Sequence, residues 1–291
     1  MDLGIACASG SYKGVFVQGV LDSFEEAGLR AGIYAAASSS TVCAAYAAAG
    51  RLRELGGVAY WGRAWAGYVA AGYDISAAVL AGMREVLPPI LDALFTPGSA
   101  RLAIAVSEVV TKEAAEVTQG PGARRLGQQL VLATRTHDTS WAARNLAFAL
   151  FDTRALDPRR LLGPENLYEV AYATTRMLHA WRTPAWIGGV PFVDASYTCS
   201  CPAVALAEMG CRQVIAISPE SGPVFTDFFQ AERLPEAHRG VPIRVIQPDH
   251  NLSDVGVDYL KATEKGLAAA YGEGRRAGEA FVGGSARATS G

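Results

Sequence analysis

Three consecutive serines, Ser38, Ser39 and Ser40, lie between a short apolar run and an alanine-rich run in the stretch AAASSSTVCAAYAAAG. We predict a strand over Ile33–Ala37 and a helix over Ser40–Gly50, so the serines occupy a strand-to-helix turn. A turn of this kind, the nucleophile elbow, lifts a serine hydroxyl out of a sheet and beside the free N–H groups of the next helix. A serine that only caps the helix N-terminus explains the same pattern, and this stretch by itself leaves both interpretations open.

A similar strand-to-helix turn opens the chain. The run LGIACA, from Leu3 to Ala8, predicts a buried strand, and the helix that starts at Gly14 carries apolar residues at helical spacing until Gly28 ends it. Two strand–turn–helix units in succession indicate a sheet covered by helices. The connecting loop, ASGSYKG, lacks the spacing of a dinucleotide-binding loop, and its lysine precedes the last glycine, which excludes a phosphate-binding P-loop.

An aspartate much later in the chain also follows an apolar run. Asp194 comes directly after PFV, and a proline, a predicted helix and the apolar run QVIAIS come after it. No local feature brings Asp194 to the serines, so any contact between them depends on the fold.

Together, these three blocks resemble the patatin-like phospholipases of bacteria. The family's loop G-G-G-x-[KR]-G corresponds to SGSYKG at Ser9–Gly14, its elbow serine to Ser38, and its D-G-[GA] element to Asp194–Ser196. The order of the blocks matches from Leu3 to about Gly274 and is least similar between Arg51 and Gly127. The departures replace family glycines at Ser9, Ser11, Ala36, Ser40, Ala195 and Ser196.

The resemblance implies a fold and a catalytic pair. The fold would be α/β, the three-layer α/β/α patatin-like fold, in which helices cover both faces of a central, mostly parallel sheet. The pair would be a Ser–Asp dyad without histidine, with Ser38 as the nucleophile and Asp194 as its base. Burial must raise the pKa of that carboxyl before it can act as a base near neutral pH. The oxyanion hole would consist of the loop residues Ser9, Gly10 and Ser11 and the N–H group of Ser39.

The implied substrate is a lipid ester: a phospholipid, a lysophospholipid or a neutral acylglycerol. Lys13 is a candidate substrate-binding residue that would steer a phosphate head group, and a solvated charge at this position is the open alternative. We predict no metal and no cofactor.

The replaced glycines bear on how well the oxyanion hole works. A serine at position 9 or 11 would be strained in a left-handed backbone conformation. We therefore expect Gly10 to take the positive φ and both serines to stay in ordinary regions. Three functions remain open: a lipid acyl hydrolase, a catalytically weak or silent patatin-fold protein that binds lipid or a partner, and an acyltransferase.

Composition and net charge limit the classes of partner and the location that we expect for this chain. The 291-residue chain has a net charge of −2, which provides no basic surface for nucleic acid. We expect its five cysteines to be buried free thiols and its four histidines to be structural. The start of the chain does not resemble a signal peptide and no stretch is long and apolar enough to span a membrane, so we expect a cytoplasmic protein, with or without peripheral membrane contact. The oligomeric state stays open.

The remaining elements complete the prediction. We expect a single domain over residues 1–282 and a flexible C-terminal tail over 283–291. Residues 51–127 look helical, and Trp61, Trp65 and Tyr68 share one helix face that is either buried or lipid-binding. Further predicted strands are Gln128–Thr136, Asn145–Asp152, Gln213–Ser218 and Pro242–Pro248, and further predicted helices are Asn166–Trp181 and Leu252–Gly274.

Overall fold

The computed structural model describes residues 1–288, with side chains through residue 284. Its strands are β1 Leu3–Cys7, β2 Ile33–Ala36, β3 Arg101–Val109, β4 Leu146–Asp152, β5 Trp186–Ile187, β6 Val190–Val193, β7 Gln213–Ile217, β8 Ala237–His238 and β9 Val241–Ile246. Its helices are α1 Gly14–Glu26, α2 Thr41–Ala48, α3 Leu52–Leu55, α4 Val58–Ala70, α5 Ile75–Val86, α6 Leu91–Leu94, α7 Lys112–Gln119, α8 Ala123–Ala133, α9 Ser140–Asn145, α10 Leu167–Ala173, α11 Ala203–Glu208 and α12 Glu264–Ala288.

The strands form a central, mostly parallel sheet. Their order is β5-β6-β3-β2-β1-β7-β9-β8. Strands β6 and β2 pair with different parts of one edge of β3, and β4 pairs with the opposite edge. Five neighbouring strands run parallel to one another: β3, β2, β1, β7 and β9. From β1 the chain adds β2 and β3 on one side and later β7 and β9 on the other, so the strand order reverses between the carboxyl ends of β1 and β7. Ligands of open α/β sheets bind at such a point.

Apolar side chains alternate between the two faces of this sheet. In β1, Ile5 and Cys7 belong to one buried cluster, whereas Ala6 belongs to another. Helices α1 and α12 pack together on the first face, and α11 packs against β1 on the second. Each of the five cysteines is a buried free thiol, as predicted.

Several predicted elements are confirmed. The strands predicted at Leu3, Ile33, Asn145, Gln213 and Pro242 correspond to β1, β2, β4, β7 and β9. Helices α1 and α2 follow the first two strands as expected. The helix predicted over Asn166–Trp181 ends at Ala173, and irregular backbone continues from there toward β5.

Two predictions in the middle of the chain were wrong. Residues 51–127 are not all helical, because β3 lies within them and pairs with β2. Its run RLAIAVSEV is buried on both faces, so it lacks the alternation that distinguishes a strand from a helix. Conversely, Gln128–Thr136 is not a strand: α8 continues through it to Ala133, with Leu126 and Leu130 buried one turn apart.

The structure also corrects the predicted start of the closing helix and the predicted extent of the C-terminal tail. The closing helix begins at Glu264 rather than Leu252, after a short 3-10 turn and a loop. It extends to Ala288, so residues 283–288 of the predicted tail are helical, and 289–291 lie outside the described residues. Within the described part of the chain, every helix is too short or too polar to cross a membrane.

Candidate active site

Strands β2 and β6 meet end to end on one edge of β3. Strand β2 runs parallel to β3 and places Ala36 opposite Ile104, whereas β6 runs antiparallel and places Val193 opposite Ser107. Strand β4 occupies the other edge of β3 over this whole region. The residues that follow each strand end therefore face each other across a gap two β3 residues long.

Ser38 and Asp194 occupy this gap. The Ser38 hydroxyl donates a hydrogen bond to Oδ2 of Asp194 over 3.0 Å. This distance lies within the 2.6–3.2 Å that proton transfer to a base requires. The two side chains that the sequence analysis paired are thus in direct contact, and both line the same cavity.

The backbone of Ser38 has the conformation of a nucleophile elbow. Its φ is 56°, a left-handed value that costs a non-glycine residue about 1–3 kcal/mol. The turn directs the three hydroxyls differently: Ser40 Oγ donates to the carbonyl of Ala8 over 2.6 Å, while Ser39 Oγ is buried without a partner among the described residues. Of the three serines, only Ser38 bonds to Asp194.

Asp194 is fully buried, and this burial changes its acidity. Loss of solvent raises the pKa of the Asp194 carboxyl to about 6. Hydrogen bonds from Ser196 and from Ser38 oppose this rise, and the N–H group of Ser196 lies 2.8 Å from Oδ1. The carboxyl is therefore ionised at neutral pH yet is a stronger base than an exposed aspartate.

Thr174 closes the gap between the strand ends, which the sequence analysis did not foresee. Its hydroxyl accepts the Ser38 N–H over 2.8 Å and donates to the carbonyl of Ala105 over 2.7 Å. The carbonyl of Thr174 accepts from Ala195 N–H, and that of Arg176 accepts from Asp194 N–H. One short segment therefore holds both members of the dyad. The sequence feature that could have indicated this role is the pair of threonines that follows an apolar helical run, in YATTRM.

The loop after β1 differs from the predicted oxyanion hole. Ser9 donates its N–H to the carbonyl of Ser200 over 2.9 Å, so this group is not free for a substrate. The N–H groups of Gly10, Ser11 and Ser39 donate to no group that the structure describes, and all three residues line the cavity with Ser38. Three of the four predicted donors are thus free.

The positive φ lies at Ser11 and not at Gly10, so that expectation was wrong. Ser11 has a φ of 50°, whereas Gly10 has a φ of 176°, an extended value that any residue adopts. Gly10 is required for a different reason: a Cβ there would lie 2.4 Å from Cγ of Pro219. The Ser11 hydroxyl donates to the carbonyl of Tyr259, which ties the strained residue to a neighbouring loop.

Lys13 does not have the predicted role. Its side chain is buried, and Nζ lies 2.9 Å from a carboxylate oxygen of Glu220, 3.3 Å from Oδ1 of Asn251 and 4.6 Å from the centre of the Tyr259 ring. It does not line the cavity. Lys13 is therefore neither a head-group ligand nor a solvated charge, and it instead joins the loop after β1 to two neighbouring loops.

A cavity of about 1030 Å³ opens above the dyad. Its lining is largely apolar and includes Trp61 and Met83 from the α4–α5 pair and Phe225 and Phe228 from the loop after β7. On the aromatic face of α4, Trp61 and Tyr68 are buried and Trp65 is half-buried, so this face packs against the core rather than standing free.

One histidine also lines the cavity. Burial lowers the pKa of His179, which keeps its ring neutral near pH 7, and its Nδ1 has no partner in the described part of the chain. Among the described residues, no group of three or more His, Cys, Asp or Glu side chains is arranged to hold a metal ion.

No protein-family model and no curated protein matches this chain. A serine hydroxyl bonded to a buried carboxylate, with free N–H groups beside it, has the parts needed for acyl transfer through a covalent intermediate.

Proposed function

We propose that this chain is a serine acyl hydrolase of the patatin-like type, with the three-layer α/β/α fold of that family, acting on lipid esters. The observation that carries the proposal is the 3.0 Å hydrogen bond from Ser38 to the buried Asp194 at the base of a large apolar cavity. The order of the sequence blocks supports it.

The first half of the reaction acylates the serine. Asp194 takes the proton of the Ser38 hydroxyl as its oxygen attacks the carbonyl carbon of the ester, which forms a tetrahedral oxyanion. Collapse of this species breaks the bond to the alcohol, and Asp194 returns the proton to the departing alkoxide. The result is an acyl-Ser38 ester and a free alcohol.

The free N–H groups of Gly10, Ser11 and Ser39 are the donors that would hold the oxyanion. Because they are backbone groups, their positions need little rearrangement as the charge develops. The Ser38 N–H is not one of them, since Thr174 already accepts it.

The second half restores the enzyme. Asp194 removes a proton from a water molecule, the resulting hydroxide attacks the acyl carbon, and the serine oxygen leaves and takes the proton back from Asp194. The product is a carboxylic acid. If an alcohol replaced water in this step, the same dyad would act as an acyltransferase.

The cavity favours a lipid over a small polar ester. Its volume is at the upper end of the range for ligand sites, about 300–1000 Å³, and most of its lining is apolar. Burying an acyl chain in it would contribute about 0.8 kcal/mol for each methylene removed from water.

Active-site labelling tests the proposal. We expect a fluorophosphonate to add once, at Ser38, as located by peptide mass spectrometry, and Ser38→Ala to abolish both labelling and hydrolysis of phospholipid, lysophospholipid and acylglycerol. Ser40→Ala is the matched control, because Ser40 points to Ala8 and should leave most of the activity.

The alternative outcomes are also informative. Absence of labelling and of hydrolysis in a folded protein that binds lipid would replace the hydrolase with a lipid-binding protein. Formation of a new ester when an acceptor alcohol is added would indicate an acyltransferase.

A further inference from the structure

Helices α4 and α5 form one wall of the cavity, and this wall carries several very small side chains besides Val79 and the ion-paired Arg63 and Glu85. The cavity is lined by Ala64, Gly67 and Ala71 from α4 and its C-terminal end and by Ala78 and Gly82 from α5. Their spacing of three or four residues places each set on a single helix face. Larger side chains of the same two helices, those of Trp61, Met83 and Val86, also line the cavity and are buried.

Packing does not explain the two glycines. A Cβ added at Gly67 or at Gly82 would meet no atom within 4 Å, and neither residue has a positive φ. Glycine in the middle of a helix lowers helix stability relative to alanine. What the two glycines do provide is open space between the helix backbones and the cavity.

We infer that this wall is the binding site for the acyl chain, and that the chain is long and unbranched. The lining residues of α4 and its C-terminal end run from Tyr60 to Ala71, a distance of about 16 Å along a helix axis. A row of small side chains on a wall of this length, continuous with the cavity that contains Ser38, suits an extended hydrocarbon chain better than a compact or branched acid. The inference rests on the proposed function only for the position of the ester group.

Fatty-acid binding tests the site without relying on catalysis. The measurement uses Ser38→Ala protein and displacement of dansyl-labelled undecanoic acid by octanoate, laurate and palmitate. We expect affinity to rise about fourfold for each methylene that is buried. Burial of only two of the eight additional methylenes of palmitate would therefore make it more than about tenfold tighter than octanoate.

Leucine substitutions locate the chain. Gly82→Leu and Gly67→Leu should each weaken palmitate binding about tenfold or more, and weaken octanoate binding less, because the new side chain occupies the space of the distal methylenes. Gly62→Leu is the matched control: Gly62 lies on α4, a Cβ there also meets open space, and it does not line the cavity. We expect it to bind palmitate as the parent does.

The outcomes separate this inference from the proposed function. Chain-length-dependent binding that Gly82→Leu abolishes supports the acyl site even if the wild-type protein hydrolyses no ester. Equal affinity for octanoate and palmitate, or loss of palmitate binding in Gly62→Leu to the same extent as in Gly82→Leu, overturns the acyl site even if short esters are hydrolysed.

Discussion

Ser38 and Asp194 are 156 positions apart in the sequence, yet a hydrogen bond of 3.0 Å joins their side chains. Strands β2 and β6 end opposite each other on the same edge of β3, which brings the two residues together.

The pH dependence of hydrolysis should report the ionisation of Asp194. Its carboxyl must be unprotonated to accept the Ser38 proton, and burial raises its pKa to about 6. We expect kcat/KM for a butyrate ester to be level above that pH and to fall about tenfold for each pH unit below it. A rate that stays level down to pH 4.5 would exclude Asp194 as the base.

Loss of the Thr174 hydroxyl should slow catalysis without greatly altering substrate binding. Thr174→Val leaves the Ser38 N–H and the Ala105 carbonyl unpaired. We expect kcat to fall about 10- to 100-fold, since an unpaired buried group costs about 1–3 kcal/mol and the elbow will shift to relieve it. KM should change by less than about threefold.

The control for this prediction is Thr174→Ser, which keeps the hydroxyl and should recover most of kcat. Thermal unfolding of both variants shows whether either change disrupts the fold. Equal losses of kcat in the valine and serine variants would contradict the prediction, because retaining the hydroxyl would then not restore catalysis.

The effect of a substitution at Ser11 on kcat should depend on how readily the new residue adopts the positive φ of this position. Glycine and alanine both accept a φ of 50° more readily than a β-branched residue does, although each loses the hydroxyl bond to Tyr259. We expect Ser11→Gly and Ser11→Ala to change kcat by less than about tenfold and Ser11→Val to lower it by more. Similar kcat values in all three variants would show that the N–H groups of this loop do not hold the oxyanion.

Asp22 should destabilise the fold at neutral and alkaline pH. It lies between α1 and α12, where Oδ2 accepts a 2.6 Å hydrogen bond from the Tyr271 hydroxyl and Oδ1 has no partner among the described residues. Burial raises the pKa of Asp22 to about 6, from an ordinary value of 3.8. The folded state therefore binds the proton more tightly, and the contribution of Asp22 to stability falls as pH rises from about 4 to about 6.

Asp22→Asn removes this ionisation and retains an acceptor for Tyr271. We expect it to raise the free energy of unfolding by about 1–3 kcal/mol at pH 8 and by less at pH 4, as measured by urea denaturation. The exposed Asp92→Asn is the control and should show no gain that grows with pH. A gain for Asp22→Asn that is equal at both pH values would indicate that its ionisation is not the cause.

The sequence by itself determined the elements whose patterns are local. The short strands at Leu3 and Ile33, the turns after them and the helices that follow depend on neighbouring residues, and the structure has them at the predicted places. The choice of Ser38 among three serines came from the family resemblance, and Ser38 is the serine in contact with Asp194.

Only the tertiary structure decided the features that depend on distant partners. Strand β3 was missed because burial on both faces removes the alternation that marks a strand, and the dyad depends on which edge of β3 each neighbour occupies. The role of Lys13 depends on its ion pair with Glu220. The Ser9 N–H is unavailable to a substrate because it donates to the carbonyl of Ser200. A buried group takes its role from the atoms that replace water around it, and residues far along the chain supply those atoms.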